Sequence, residues 1–358
     1  MTLHLSTPHA RWLFLVPVGF LACSGSGMST TSTTATGSTT STTSTSTTGS
    51  QGGGGGATSS TTSSSGGGGA GGATTTSSAG GGGATSSSGG GGAGGVGPSG
   101  TRVRIVAANL TSGNVQSYDP GEGIRILQGL HADVILLQEM NYVLNTEQDL
   151  RDLVDQICGM DCDFVRGGGQ IPNAVVSRYP LLDAGTWPDP KANNRDFAWA
   201  RVDVPGATDL WAVSVHLLTS SESERDQEAA MLVQQFNDVV SDLDYLVLGG
   251  DFNTHVRDEP ALGTLSARLS IAPPYPADND GNDNTNGVRT KPYDWVLPSP
   301  ALRDLEVPVL IGDSQFDTGL VVDTRVYSPL DEISPAKDGD SGASNMQHMA
   351  VVRDFAFE

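Results

Sequence analysis

Asp251 and Asn253 stand two residues apart, just after the apolar run 245–248 and the pair Gly249-Gly250. In an extended chain, residues at i and i+2 point the same way, so a carboxylate and an amide would share one face. The two glycines are expected to turn the backbone tightly ahead of them. Other polar residues border apolar runs in the same manner. Asn109 follows residues 105–108, Glu139 follows 134–138 and His216 follows 211–215, while Asp294 precedes 295–297 and His348 precedes 349–352. Taken singly, Asn109 reads as a turn former, Glu139 as a solvated rim residue and His216 as a structural histidine. Collected, they predict one rim of strand ends, where α/β folds carry their chemistry. Carboxylate and amide oxygens suit a hard cation, and a carboxylate beside an imidazole suits proton transfer.

The elements that must position these groups are mostly strands. Residues 103–107, 133–137, 174–177, 197–204, 209–217, 245–248, 293–297, 305–311 and 350–355 read as strands from their apolar and β-branched content. Helical spacing runs through Ile124, Leu127 and Leu130, and again through Leu150, Leu153, Val154 and Ile157. A long helix is expected over 221–240, with Ser221, Glu222 and Ser223 as capping candidates. Residues 256–292 are rich in Pro, Asn, Asp and Gly and read as loops. Strands outnumber helices without strict alternation, which favours a layered α/β (α+β) domain with mixed sheets.

The chain has 358 residues, and its first hundred lack the means to build a core. Arg11 and the apolar run 12–22 read as a secretory signal over 1–23, the run being shorter than the ~20 residues of a membrane span. Phe20-Leu21-Ala22-Cys23 resembles a bacterial lipobox with Cys23 acylated; a signal cleaved near Ala22 without lipid is the alternative. Residues 24–100 are almost wholly Ser, Thr, Gly and Ala and read as a disordered linker with a reach of roughly 50 Å. Export follows, with the domain held at an outer membrane or cell surface through Cys23, or secreted if no lipid is added. Residues 101–358 then form one domain, expected to be monomeric.

That domain carries 18 basic and 40 acidic residues, a formal charge of −22. Such a field opposes tight, sequence-independent binding of polyanions, although a divalent cation can invert the sign locally. Cys158 and Cys162 are expected to pair as a small-loop disulfide in an exported protein. Residues 278–284, Asp-Asn-Asp-Gly-Asn-Asp-Asn, could wrap Ca²⁺, yet they lack the closing Glu of an EF-hand loop. A solvated acidic loop is the competing reading.

Seven stretches recur in a recognisable order: Val106-Ala107-Ala108-Asn109-Leu110, Leu136-Leu137-Gln138-Glu139, Asn173-Ala174-Val175-Val176-Ser177-Arg178-Tyr179-Pro180, Val215-His216-Leu217, Gly249-Gly250-Asp251-Phe252-Asn253, Tyr293-Asp294-Trp295-Val296 and the final His348. The set resembles the endonuclease/exonuclease/phosphatase superfamily, the DNase-I-like fold, across essentially all of 101–358. The resemblance implies a four-layer sandwich, two packed mixed β-sheets flanked by helices. It also implies hydrolysis of a phosphate ester assisted by Mg²⁺ or Mn²⁺. On that reading Glu139 binds the metal, with Asn109 lending its amide oxygen or ordering a metal-bound water. Asp251 orients or deprotonates the attacking water, Asn253 donates to a phosphoryl oxygen, and His216 donates to the phosphate or helps the leaving oxygen. His348 and Asp294 form a dyad.

Asn173 and Arg178 match a family segment near the site, with substrate contact and a backbone role both open. Arg195 is a weak substrate-binding candidate, or a surface ion-pair partner. One departure stands out: the family has Asp immediately before the last His, and here the residue is Gln347, which leaves the number and choice of metals open. Nucleic acid is the expected substrate, through endonuclease-type cleavage. A phospholipid, sphingomyelin or phosphomonoester is the alternative on the same fold, and a non-catalytic surface binding lipoprotein the alternative of another class.

Overall fold

The computed structural model describes residues 100–112 and 121–358; the expected signal, the lipidation candidate Cys23 and the linker up to residue 99 lie outside the described residues. In chain order the strands are β1 (Thr101–Asn109), β2 (Val134–Gln138), β3 (Asp163–Arg166), β4 (Ala174–Ser177), β5 (Leu181–Trp187), β6 (Phe197–Val202), β7 (Leu210–His216), β8 (Tyr245–Asp251), β9 (Asp294–Pro298), β10 (Glu306–Val307), β11 (Val309–Ile311), β12 (Ser314–Phe316), β13 (Leu320–Val322) and β14 (Ala350–Phe357). The helices are α1 (Glu122–Leu130), α2 (Glu147–Ile157), α3 (Glu222–Val239), α4 (Pro260–Leu265) and α5 (Pro300–Arg303).

Among the described residues, one sheet runs β10-β14-β1-β2-β4-β3 with β13 also on β14, and a second runs β5-β6-β7-β8-β9. Both are mixed: β1 with β2 and β7 with β8 are parallel, and their other neighbours are antiparallel. Alternate residues of one strand serve different cores. Val106, Ile135 and Leu137 pack with Leu127 of α1 and Leu153 of α2. Ile105, Ala107 and Leu136 face Ala212, Val247 and Val296 of the other sheet. Val213, Leu248 and Leu297 pack with Leu232 and Phe236 of α3 and Leu262 of α4. The result is helix, sheet, sheet, helix, the four-layer sandwich expected.

Local chemistry accounts for the helix starts. Thr146 and Asp149 form a capping box ahead of α2, and the Ser221 hydroxyl accepts from the Glu224 N–H at 3.2 Å ahead of α3. Four strands, β3, β5, β12 and β13, escaped the sequence pattern. β3 and β5 are sheet edges with polar residues and partial exposure, so their hydrophobic period is diluted. The expected strand 305–311 divides into β10 and β11 at Pro308, which has no N–H to donate. Within 256–292, Pro260 opens the short α4, a position where its missing N–H is harmless.

Gly249 and Gly250 do not turn the chain. Both lie inside β8, paired with Ser214 and Val215 on one side and Val296 and Trp295 on the other. A Cβ on Gly249 would sit 2.6 Å from Leu136 Cδ1 of the facing sheet. On Gly250, whose φ is +139°, it would sit 2.0 Å from the Val215 carbonyl oxygen and 2.7 Å from Gln138 Nε2. These glycines let the two sheets close upon each other directly beneath Asp251.

Candidate active site

Every strand that borders the site delivers a polar residue at its end. Asn109 ends β1, His216 ends β7 and Asp251 ends β8; Asp294 opens β9, and His348 lies just before β14. Register keeps them adjacent, with His216 opposite Asp251 and Asp251 opposite Asp294. Three nitrogens converge on Asp251 Oδ2: Asn109 Nδ2 at 3.1 Å, His216 Nε2 at 3.2 Å and His348 Nε2 at 3.5 Å. The other oxygen, Oδ1, accepts the Asn253 N–H at 2.9 Å. His348 Nδ1 meets Asp294 at 3.0 Å, the dyad expected. Glu139 closes the ring, its Oε1 3.2 Å from Asn109 Nδ2 and 3.9 Å from His216 Nδ1.

Two of these residues hold left-handed backbone, Glu139 at φ +56° and Asn253 at φ +52°. Asn tolerates that region, whereas Glu there stores roughly 1–3 kcal/mol of strain that the surrounding sheets must hold.

Burial sets the protonation pattern. It pushes the Asp251 carboxyl up to about 7, against the pull of His348 and with help from Asp294. Burial opposes charge on His348, but Asp294 and Asp251 outweigh it and hold the ring up to about 10. His216 falls well below the ordinary histidine value through burial, then through Arg195 and His348. Near neutrality the pocket therefore offers a charged imidazole, a neutral imidazole and a carboxyl close to its own midpoint. Such a carboxyl is well matched to taking a proton from water.

Three carboxyl groups, Glu139, Asp251 and Asp294, share this pocket with one imidazolium, His348. That surplus of oxygen ligands and negative charge fits a hard divalent cation at Glu139, whose side chain remains partly open to solvent. Ligand atoms of Asp251, Asp294 and His348 also lie within 4.8 Å of one another. Asn109 departs from the first of its two expected roles: its Oδ1 accepts the Thr111 N–H at 2.7 Å, so the amide nitrogen, not the oxygen, faces the carboxylates. It bridges Glu139 and Asp251 as a donor.

The two substrate-binding candidates are scaffold instead. Arg195 is buried, donating to the carbonyls of His216 at 2.5 Å and Leu217 at 3.0 Å. Asn173 is wholly buried and donates to the Asp196 carbonyl at 2.7 Å. Their donors are engaged by backbone carbonyls. Asn253 donates to the Leu217 carbonyl at 3.0 Å, and so braces the same segment as Arg195. Gln347 is exposed at the rim beside His348. Cys158 and Cys162 are disulfide-bonded.

In the acidic loop 278–284, Asp278 is engaged within the protein. Its Oδ1 accepts from the N–H groups of Asp280 and Asn282, and its Oδ2 is held by the Arg289 guanidinium, so a side-chain cation already pairs with that carboxylate. Sequence reasoning missed Gln138, buried beneath Gly250 and donating to Ser214 Oγ at 2.9 Å, and Tyr293, whose ring lies 5.8 Å from that of His348. Tyr293 had a signal in its place next to Asp294; Gln138 read as part of an apolar strand.

A doubly layered mixed sandwich with a buried acid–histidine pocket at converging strand ends defines a class of phosphoester-cleaving fold. The sequence matches the Endonuclease/Exonuclease/phosphatase family over residues 112–316, more than half of the chain. The chain belongs to that family, whose members hydrolyse phosphate esters. Its fold is similar to an endonuclease/exonuclease/phosphatase from Bacteroides vulgatus, at 16% identity over 72% of this chain and 100% of that one, with a TM-score of 0.50. It is similar to a conserved protein of unknown function from Enterococcus faecalis V583, at 13% identity over 72% and 100%, with a TM-score of 0.52. A third, from Beutenbergia cavernae, shares 17% identity over 71% of each chain, with a TM-score of 0.50. No curated protein matches the sequence.

Proposed function

We propose that the chain is an exported, divalent-metal-assisted phosphodiesterase that cleaves nucleic acid by attack of water. The observation that carries the hydrolytic reading is the convergence of Asn109, His216 and His348 on one oxygen of Asp251, with Glu139 alongside. Glu139, braced by Asn109, would hold a hard cation, which would neutralise charge on the phosphoryl oxygens.

The side chains divide the remaining work. Asp251 takes the proton of the attacking water, its raised pKa placing it near the optimum for a general base. His348, held charged by Asp294, donates to the phosphate or leaving oxygen. His216, neutral, carries a hydrogen on the nitrogen facing Asp251 and orients that carboxylate. The N–H of Asn253 fixes the other Asp251 oxygen, so the base cannot rotate away.

A small phosphate ester is the second reading, favoured by the domain's formal charge of −22, which repels a polyanion at long range. Tethering through Cys23 and a monomeric state complete the proposal. The full chain should nick plasmid DNA or cleave RNA with Mg²⁺ or Mn²⁺, and lose that activity with EDTA or with Asp251→Ala. Release of inorganic phosphate from small esters, without nicking, would replace the nuclease reading with the second. Inertness toward both would remove the hydrolase.

A further inference from the structure

The segment that presents His216 is gripped by side chains from several elements. Arg195, on the loop between β5 and β6, holds the carbonyls of His216 and Leu217. Arg225 of α3 donates to the carbonyls of Leu218 and Thr219, and is itself paired with Glu259 at 2.8 Å. Glu228, one turn further along α3, accepts the Leu218 N–H at 2.9 Å through Oε2. Glu228 is wholly buried, and its Oε1 has no donor.

The mirror image of this situation lies on the β5–β6 loop. Asp189 is buried and accepts the N–H groups of Lys191 at 2.8 Å and Ala192 at 3.2 Å through Oδ1, while its Oδ2 has no donor. The loop meets α3 at this level, where Lys191 Nζ donates to Gln227 Oε1 at 2.6 Å, next to Glu228, and the two orphaned carboxyl groups interact there. As two carboxylates they would face one another, buried and unsatisfied, at a cost no fold sustains without reason. A single proton supplies the one donor that both orphan oxygens lack.

We infer that Glu228 and Asp189 share one proton, and that this carboxyl–carboxylate pair ties α3 to the Arg195 loop and so positions His216 for the reaction proposed above. Glu228 donates from Oε1 to Asp189 Oδ2, leaving one negative charge beside Arg195, the charged group that faces the pair from the loop side. Arg195 in turn faces Asp251 and Glu139. When hydroxide removes the shared proton, two adjacent anions repel, the loop parts from α3, and Arg195 slackens its hold on residues 216 and 217. The pair acts through the backbone and touches no reacting atom; both members are positioning residues. Burial, opposed by the Leu218 N–H and reinforced by Asp189, pushes Glu228 up to about 8, so the clamp is closed near neutrality and opens in mild alkali.

Glu228→Gln tests this, because a Gln amide nitrogen donates to Asp189 Oδ2 at every pH while its oxygen still accepts from Leu218. Difference infrared spectra of the full chain should show a buried protonated-carboxyl C=O band that vanishes as pH rises through the titration, and that is missing from Glu228→Gln. The Leu218 amide NMR signal should shift over the same range in the wild type and stay fixed in the variant. With Mn²⁺ and bis(p-nitrophenyl) phosphate, wild-type kcat should fall about tenfold per pH unit beyond the titration, KM changing less, while Glu228→Gln holds its rate. Absence of the carboxyl band near neutrality, its persistence in Glu228→Gln, or a Leu218 shift common to both proteins overturns the clamp. If the phosphodiester is not hydrolysed by any form, the phosphodiesterase reading fails and the infrared and amide signals still decide the clamp.

Discussion

Replacing Gly250 by Ala isolates what the glycine pair does. If the glycines served a turn, a methyl group would be tolerated at modest cost. They sit instead inside β8, and the new Cβ would lie 2.0 Å from the Val215 carbonyl oxygen, where ordinary contact begins at 3.4 Å. That carbonyl belongs to β7 one residue before His216, and the second obstacle, Gln138 Nε2 at 2.7 Å, is buried under the site. Neither neighbour is the free end of a surface chain. The conformational penalty at φ +139° is roughly 1–3 kcal/mol and overpacking adds roughly 1–3 kcal/mol, so about 4 kcal/mol is expected. Against a domain stability of about 5–15 kcal/mol, that loss is severe. Urea unfolding followed by tryptophan fluorescence measures it. Gly263→Ala in α4 is the control, since nothing lies within 4 Å of a Cβ there, and it should be neutral or stabilising by up to about 1 kcal/mol. The folded fraction of Gly250→Ala should also lose activity, because β7 must shift and carry His216 with it. A Gly250→Ala stability within about 0.5 kcal/mol of wild type would refute the packing account.

Three further outcomes are expected. Arg225→Met should cost about 3–5 kcal/mol by stranding Glu259 in the core, and Arg225→Met/Glu259→Leu should regain much of it; equal losses in both proteins would mean the ion pair itself, not the stranded charge, is what matters. Glu228 binds its proton in the folded chain up to about 8 but releases it near 4.5 when unfolded, so its contribution is full below about 4.5 and is lost as pH climbs toward 8. Urea midpoints across that window should therefore decline more steeply in wild type than in Glu228→Gln, and parallel declines would contradict the assignment. Glu139→Gln should weaken Mn²⁺ binding at least about tenfold by calorimetry while leaving the fold intact, because a carboxylate is the harder, charged ligand. Unchanged affinity would move the metal to another set of oxygens.

The polar residues at strand ends were legible because a strand's apolar run and its terminal residue are local in sequence. Asn109, Glu139, His216, Asp251, Asp294 and His348 could each be picked out that way, and the ordered motifs tied them to one fold. Arg195 and Asn173 were legible as residues but not in their direction. A sequence does not say whether a long polar side chain points out of the mouth or back toward a carbonyl behind it. The Gly249-Gly250 pair was visible too, yet its purpose was misread, since the atoms that forbid a Cβ belong to β7 and to the facing sheet.

What the sequence determined by itself is therefore most of the strands and the polar residues at their ends, which follow from local period and residue type, while the four-layer plan and the joint membership of the pocket came with the resemblance that the ordered motifs carry. Only the tertiary structure decided the rest: which nitrogen meets Asp251, that Asn109 bridges through its amide nitrogen, that Arg289 pairs with Asp278 of the acidic loop, and that Glu228 and Asp189 meet. Those facts depend on pairs 11 to 142 residues apart, whose side chains acquire a mutual orientation only once the two sheets have closed. Hydrogen bonds and proton affinities are set by ångström distances and by burial, and neither is encoded at any one position.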